Sequence, residues 1–195
     1  MNTSNVTVGK PKTSGALFHA PVGTTLPVNA TADLASEYKE LGYASSDGIT
    51  EAQEITVNDI VAWGGDVVDS SEASKKKTFK IKLIEAVNKE VLSVVYNADN
   101  VTGTLETGIE IHENGDPHER EIFVFDEILK GGVLQRTVIP DGQVTAIGEI
   151  KHVDSDVLGY ELTIAAYPST EIDNDYLRRY IIKPSRSSEL SEPGK

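Results

Sequence analysis

Between residues 78 and 83 the apolar side chains Phe79, Ile81 and Leu83 alternate with Thr78, Lys80 and Lys82. That is the period of a strand with one face buried and one face wet. At Val87 the period changes. Val87, Val91, Val94 and Val95 recur at offsets of four, seven and eight, which lines one side of a helix ending near Asn97. A strand therefore hands over directly to a helix. Most of the remaining chain alternates as strand or breaks as turn, so the pattern predicts a mainly β protein whose helix lies across a sheet and closes the core.

Residues 1–30 hold Gly9, Pro11, Gly15, Pro21, Gly23 and Pro27, too many breakers for a packed helix or a central strand. Leu17, Phe18, Val22 and Leu26 are interspersed among them. An extended arm lying on an apolar surface, of its own domain or of a neighbour, accounts for both facts, and removing residues 1–21 is expected to leave a folded monomer. Leu34, Tyr38 and Leu41 are at helical spacing, with Thr31 or Asp33 placed to cap and Gly42 to terminate, which predicts a short helix over 32–41. Residues 60–63 read as a strand interrupted at Gly64-Gly65, a pair that marks a bulge or a close backbone approach, and resumed at Val67 and Val68. Residues 69–77 read as a loop ending in Lys75, Lys76 and Lys77. The stretch 47–77 is thus a long excursion, an extended hairpin, ahead of the Phe79 strand.

Beyond the helix, a strand over 105–112 and its return over 120–126 flank Asn114-Gly115-Asp116-Pro117, which predicts a hairpin. Ile122, Phe123, Val124 and Phe125 are apolar on both faces, so that strand must be covered above and below. Strands follow over 133–139 and 143–154 with Pro140-Asp141-Gly142 as the turn. Residues 159–167 give the cleanest alternation, Tyr160, Leu162, Ile164 and Ala166 against Glu161 and Thr163. The expected organisation is an arm (1–30), a β domain (31–183) carrying the excursion, and a disordered tail (184–195) rich in Ser, Glu, Pro and Gly.

A chain of 195 residues fits one domain with appendages and can bury a core unaided. It has no cysteine, so neither disulfides nor thiolate metal sites brace it. No run of about 18 apolar residues is present and residues 1–10 are polar, so neither a membrane span nor a signal peptide is expected. A formal net charge of −13 argues against gripping nucleic acid, which needs clustered Lys and Arg, and favours a soluble protein.

Candidate chemistry is sparse. His112, Glu113, His118 and Glu119 flank the Asn-Gly-Asp-Pro turn, but their spacing matches no metal motif, and charged side chains at a hairpin tip face water. His19 and His152 have no Ser or Cys partner in a nucleophile motif. Gly64-Gly65 and Gly131-Gly132 lack the Lys and the helix start of a phosphate loop. The acidic pairs Asp154/Asp156 and Glu171/Asp173 read as solvated loop charge rather than glycosidase carboxylates or calcium ligands. The lysine run reads as a solvated loop or as a salt-bridge donor to a neighbour. No catalytic residue, cofactor site or metal site is expected.

The segments VGKPKTSGALFHAPVGTTLP, LGYASSDGIT, AWGGDVV, FKIKLIEAVNKEVLSVVYNADNVTG, TVIPDGQVTAIGEI and GYELTIAAYPS occur in an order that resembles the major tail protein, or tail tube subunit, of long non-contractile-tailed bacteriophages. The resemblance runs from about residue 8 to about residue 169. It implies two packed antiparallel sheets, sandwich- or barrel-like, with one flanking helix. It also implies hexameric rings stacked into a tube, assembled in the host cytoplasm, through which genomic DNA passes without specific binding. The partners it implies are copies of the chain itself, a tape measure protein and adaptors at the tail ends; no cofactor and no membrane are involved. On this reading Leu17, Phe18, Val22 and Leu26 of the arm, and Trp63, Lys75, Lys76 and Lys77 of the excursion, are the expected self-assembly contacts. An acidic lumen wall would repel phosphate and leave no electrostatic wells for DNA. The alternatives are the tube of a contractile or bacteriocin-like particle, an immunoglobulin-like surface module and an enzyme.

Overall fold

A computed structural model describes residues 6–12 and 16–184. In chain order its strands and helix are β1 (Lys10–Pro11), β2 (Leu17–Pro21), β3 (Lys39–Glu40), β4 (Ala44–Val61), β5 (Val67–Leu83), α1 (Lys89–Tyr96), β6 (Val101–Thr104), β7 (Gly108–Ile111), β8 (Arg120–Leu129), β9 (Val133–Ile147), β10 (Tyr160–Ala166) and β11 (Arg178–Ile182). The fold is mainly β, with two antiparallel sheets and one helix, and the large sheet is not a closed barrel.

The strand-to-helix handover is present. Leu83, Ile81 and Phe79 of β5 lie directly opposite Tyr160, Leu162 and Ile164 of β10, so two apolar rows merge on one face of the sheet. Asn88 caps α1, its side-chain oxygen accepting from the Glu90 amide at 3.0 Å, and Asn97 at φ 71° ends it. Val91, Leu92, Val94 and Val95 are buried against those rows together with Leu17, Phe123, Phe125 and Ile139. Each such burial contributes roughly 1.5–3 kcal/mol. Val87 precedes the cap and is exposed, so the helix starts later than its apolar period suggests.

The large sheet has the order β3-β2-β8-β9-β10-β5-β4, with β1 added on β8 and β11 on β9. One flank of β9 is shared: its second half pairs with β10 and its first half with β11. The sheet's end strands β3 and β4 are separated in sequence only by residues 41–43, a span of about 14 Å at most. The sheet therefore curls around α1 until its edges approach, without a ladder joining them. β8 is covered on both sides, as its doubly apolar sequence requires. Phe123 and Phe125 face α1, while Ile122 and Val124 join Ala20, Tyr38 and Val138 in a second cluster roofed by Leu26, Leu34 and Ala35. A buried ion pair holds that roof. Arg136 donates through Nε and Nη2 to both carboxylate oxygens of Asp126, at 2.6 and 2.7 Å, and through Nη1 to the carbonyls of Asn29 and Ala32, at 3.2 and 2.6 Å.

Several sequence expectations are corrected. Residues 32–41 form turns and the short β3 instead of a helix. The Asn29 side chain accepts from the amides of Thr31 and Ala32, and Arg136 claims nearby carbonyls, so tertiary bonds override the helical spacing of Leu34, Tyr38 and Leu41. The arm is not a separate appendage at residues 17–21, because β2 sits between β3 and β8 with Leu17 and Ala20 buried; the breakers flank this strand, with only Pro21 at its end. The expected 105–112/120–126 hairpin is absent. β7 folds back on β6 through Gly103 and Gly108, and β8 pairs with β2 and β9 along its two edges. Gly64-Gly65, at φ 133° and 98°, is the turn joining β4 to β5 rather than a bulge, and residues 69–77 are strand. β9 continues through Pro140-Asp141-Gly142, where its register with β8 shifts, and stops at Ile147. A Cβ on Gly142 would lie 2.6 Å from the Phe123 ring, so glycine is there for close packing. β11 carries no alternation that announced it. Of the tail expected to be disordered, residues 185–195 lie outside the described residues.

Candidate self-assembly surface

β10 ends opposite Lys77. Beyond that point β4 and β5 pair only with each other, from Gln53↔Lys77 to Val61↔Val67. At about 3.3 Å per residue the ribbon from Lys77 to Val67 extends about 33 Å. Its side chains alternate, and Ile55, Val57 and Val61 fall on the face that Glu51 and its partner Phe79 occupy in the body. There they are about half exposed, with Val67 beside Val61 and Trp63 fully exposed at the tip. A monomer gains nothing from presenting such a stripe to water.

The root of the ribbon is tied down electrostatically. Glu51 takes Lys77 on one carboxylate oxygen and Arg179 of β11 on the other, the latter at 2.5 Å. Arg179 also donates through Nε to Thr137 of β9 at 3.1 Å. Burial alone would raise the Glu51 pKa, but the hydrogen bonds and charges of Lys77 and Arg179 outweigh it and hold the carboxyl below its ordinary value. The Tyr176 hydroxyl donates to the Lys75 carbonyl at 3.1 Å, and Lys75 pairs with Glu72 at 2.9 Å, which raises the lysine's pKa.

A second feature is an unpaired edge. β4 is 18 residues long and among the described residues pairs only with β5, so within them its outer row of backbone donors and acceptors meets no other strand. Soluble monomers normally blunt such edges. β11 likewise pairs only with β9, with Ile181 and Ile182 exposed.

The residues singled out from sequence separate into two groups. Trp63 and Lys75, Lys76 and Lys77 share the hairpin, at its tip and root. In the other group Leu17 belongs to the main core, Phe18 and Leu26 are packed on the second cluster, and Val22 is about half exposed just past β2. Ile55, Val57, Val61 and Val67 were missed, although the spacing of the first three in β4 was readable as strand period. His118 lies half-buried beside Asn97, Ser93 and Glu121; desolvation lowers its pKa, with Glu121 opposing. Among the described residues no group of three or more His, Asp or Glu side chains is placed to hold a metal. A cavity of about 300 Å³ between Lys82, Glu149, Lys151, Asp156 and Glu161 is lined by mixed charge, unlike the apolar clefts that bind small molecules.

A family model described as "phage tail tube protein" matches residues 1–185. The chain belongs to this family. Comparison with curated proteins returned no match. As a tail tube protein it is a structural component of a phage tail, and its β-rich fold with a helix across the sheet agrees with that. The surface-module reading is thereby set aside.

Proposed function

We propose that this tail tube protein self-assembles into stacked rings, hexameric by resemblance to long non-contractile phage tails, forming a conduit for genomic DNA during ejection. The observation that carries the reading is the 18-residue β4 strand, paired on one side only and prolonged into a ribbon with exposed apolar side chains. Pairing such edges between copies turns separate sheets into a continuous wall. The core needs no partner, since β8 and α1 are already covered within one chain, so subunits fold first and assemble afterwards. Assembly in the host cytoplasm suits a chain without cysteine. Tape measure and tail-end adaptor proteins are the further partners of such a tube, and a structural family implies no catalytic role.

A net charge of −13 suits a passage for a polyanion, because a wall that repels phosphate does not trap it. The test is sedimentation across a concentration series with negative-stain microscopy. Rings or tubes appearing above a threshold concentration support the reading, and a strict monomer at every attainable concentration refutes it.

A further inference from the structure

The flank of β9 that carries β10 from Gly142 to Ile147 carries β11 from Leu134 to Val138. β10 ends at Ala166, which lies opposite Gly142 on one side and Lys77 on the other. Past that residue β5 has lost its link to β9, and the sheet forks. Residues 167–177 join β10 to β11 at the mouth of the fork, where Tyr176 and Leu177 pack against the main core. This connection is internally braced. The Ser169 amide donates to the Asp175 carbonyl at 3.1 Å, Asp173 and Asn174 take left-handed backbone at φ 61° and 63°, and Arg178 donates through Nη2 to the Ile172 carbonyl and the Asp173 carboxylate at 3.0 and 2.8 Å.

On the other side of the fork runs the β4–β5 ribbon. A two-stranded ribbon on its own twists strongly and is marginally stable in water, so with nothing beside it the ribbon would swing about Gln53 and Lys77. Two side chains from the fork oppose that motion. The Tyr176 hydroxyl reaches the Lys75 carbonyl, two residues past the end of the β10 ladder. Among the described residues it is the one hydrogen bond that comes to the ribbon beyond Lys77 from outside it. Arg179, anchored on Thr137 of β9, meets Glu51 just inside the root. Lys75 belongs to β5 and Glu51 to β4, so each strand of the ribbon is gripped once.

We propose that residues 167–179 form a wedge that sets the direction in which the β4–β5 ribbon leaves the body, Tyr176 holding β5 and Arg179 holding β4. The direction is then a property of the folded single chain, fixed by a segment about a hundred positions away in sequence. Tyr176 and Arg179 are positioning residues. A ribbon held at one angle loses less freedom on meeting another copy, which lowers the cost of association; that use rests on the tube reading, and the wedge itself does not.

The experiment is a distance measurement in the monomer, below any assembly threshold. The chain has no cysteine, so Ser70→Cys on the ribbon and Ala146→Cys on β9, both exposed, take two spin labels cleanly for pulsed electron paramagnetic resonance. The otherwise wild-type chain is expected to give one narrow distance distribution. Tyr176→Phe/Arg179→Met keeps the ring and the aliphatic stem and leaves Glu51 paired with Lys77, so the melting curve should move by no more than a few degrees while the distribution broadens or shifts. Tyr176→Phe alone should do so in part, and decides the matter if the double variant does not fold. A distribution that is already broad in the wild-type background, or one that neither variant changes, would overturn the wedge. In chains that assemble, the double variant should raise the threshold concentration by about threefold or more, and an unchanged threshold would overturn the wedge's part in assembly. A wild-type chain that never assembles would remove the tube reading and leave the wedge to be judged on the distances alone.

Discussion

Replacing Arg136 by Met isolates one of the chain's few buried charges. Arg136 and Asp126 are 2% and 4% exposed, and the guanidinium satisfies both carboxylate oxygens in a bidentate pair. Methionine nearly fills the volume but leaves Asp126 buried with only Lys12, 3.7 Å away and partly exposed, as a cation. Breaking a buried pair by removing one partner costs about 3–5 kcal/mol. The freed carbonyls of Asn29 and Ala32 add up to about 1–3 kcal/mol each where water cannot reach them. Against a typical total of about 5–15 kcal/mol, and at roughly 2–4 °C per kcal/mol for a chain of this size, loss of the ion pair alone should lower the melting temperature by roughly 6–20 °C, and the freed carbonyls deepen the fall. Circular dichroism melts measure this. The double variant Asp126→Leu/Arg136→Met leaves no buried charge and should recover most of the loss, although hydrogen exchange at residues 29–32 should stay faster than in the wild type. An Arg136→Met protein that melts with the wild type would show that the pair does not hold the second cluster's roof.

Val91→Asp places a carboxylate at a fully buried position of α1, a cost of several kcal/mol; the subunit should be unfolded or insoluble, and a stable soluble variant would place that helix face wrongly. The Glu51 carboxyl is held below its ordinary value of 4.5, so its contribution to stability is complete above that pH and is lost as pH falls through the lowered value; Glu51→Gln should flatten the acid limb of a stability–pH curve below pH 4.5, and an unchanged limb would contradict the tie. Deleting residues 1–21 removes β2 with Leu17 and Ala20. The loss of Leu17 alone is worth about 2–5 kcal/mol, so the product should fail to melt cooperatively, whereas a folded, assembly-defective monomer would place the arm outside the core after all.

What could be read from sequence was local. The alternation over Phe79, Ile81 and Leu83 and over Tyr160, Leu162 and Ile164 named two neighbouring strands, and the switch of period at Val87 named α1, because periodicity reports which face of an element is buried. The double apolar run at Ile122–Phe125 correctly demanded two covering layers. What failed was partner choice. Asn-Gly-Asp-Pro is a strong turn signal, yet the segment before it folds back on β6, since local turn chemistry does not say which strand returns. The spacing of Leu34, Tyr38 and Leu41 mimics a helix because three apolar contacts with one surface can be made by turns pinned at Asn29 and Arg136. At the candidate surface, Trp63 and the lysine run stood out by composition. Ile55, Val57 and Val61 were masked by the acids between and before them, although apolar alternation with nothing left to cover it is itself a sign of an outside partner.

The residues that bury this chain's core and those exposed on its hairpin are different. The two buried clusters use α1, β2, both faces of β8 and the inner half of β5, and none of these needs a second copy to leave water. The outer half of β5 and all of β4 beyond Gln53 contribute nothing to either cluster; removing them would cost the monomer little apolar burial. A strand pair that adds nothing to either cluster and leaves Ile55, Val57, Ile60 and Val61 about half exposed is a costly thing to maintain in a soluble monomer.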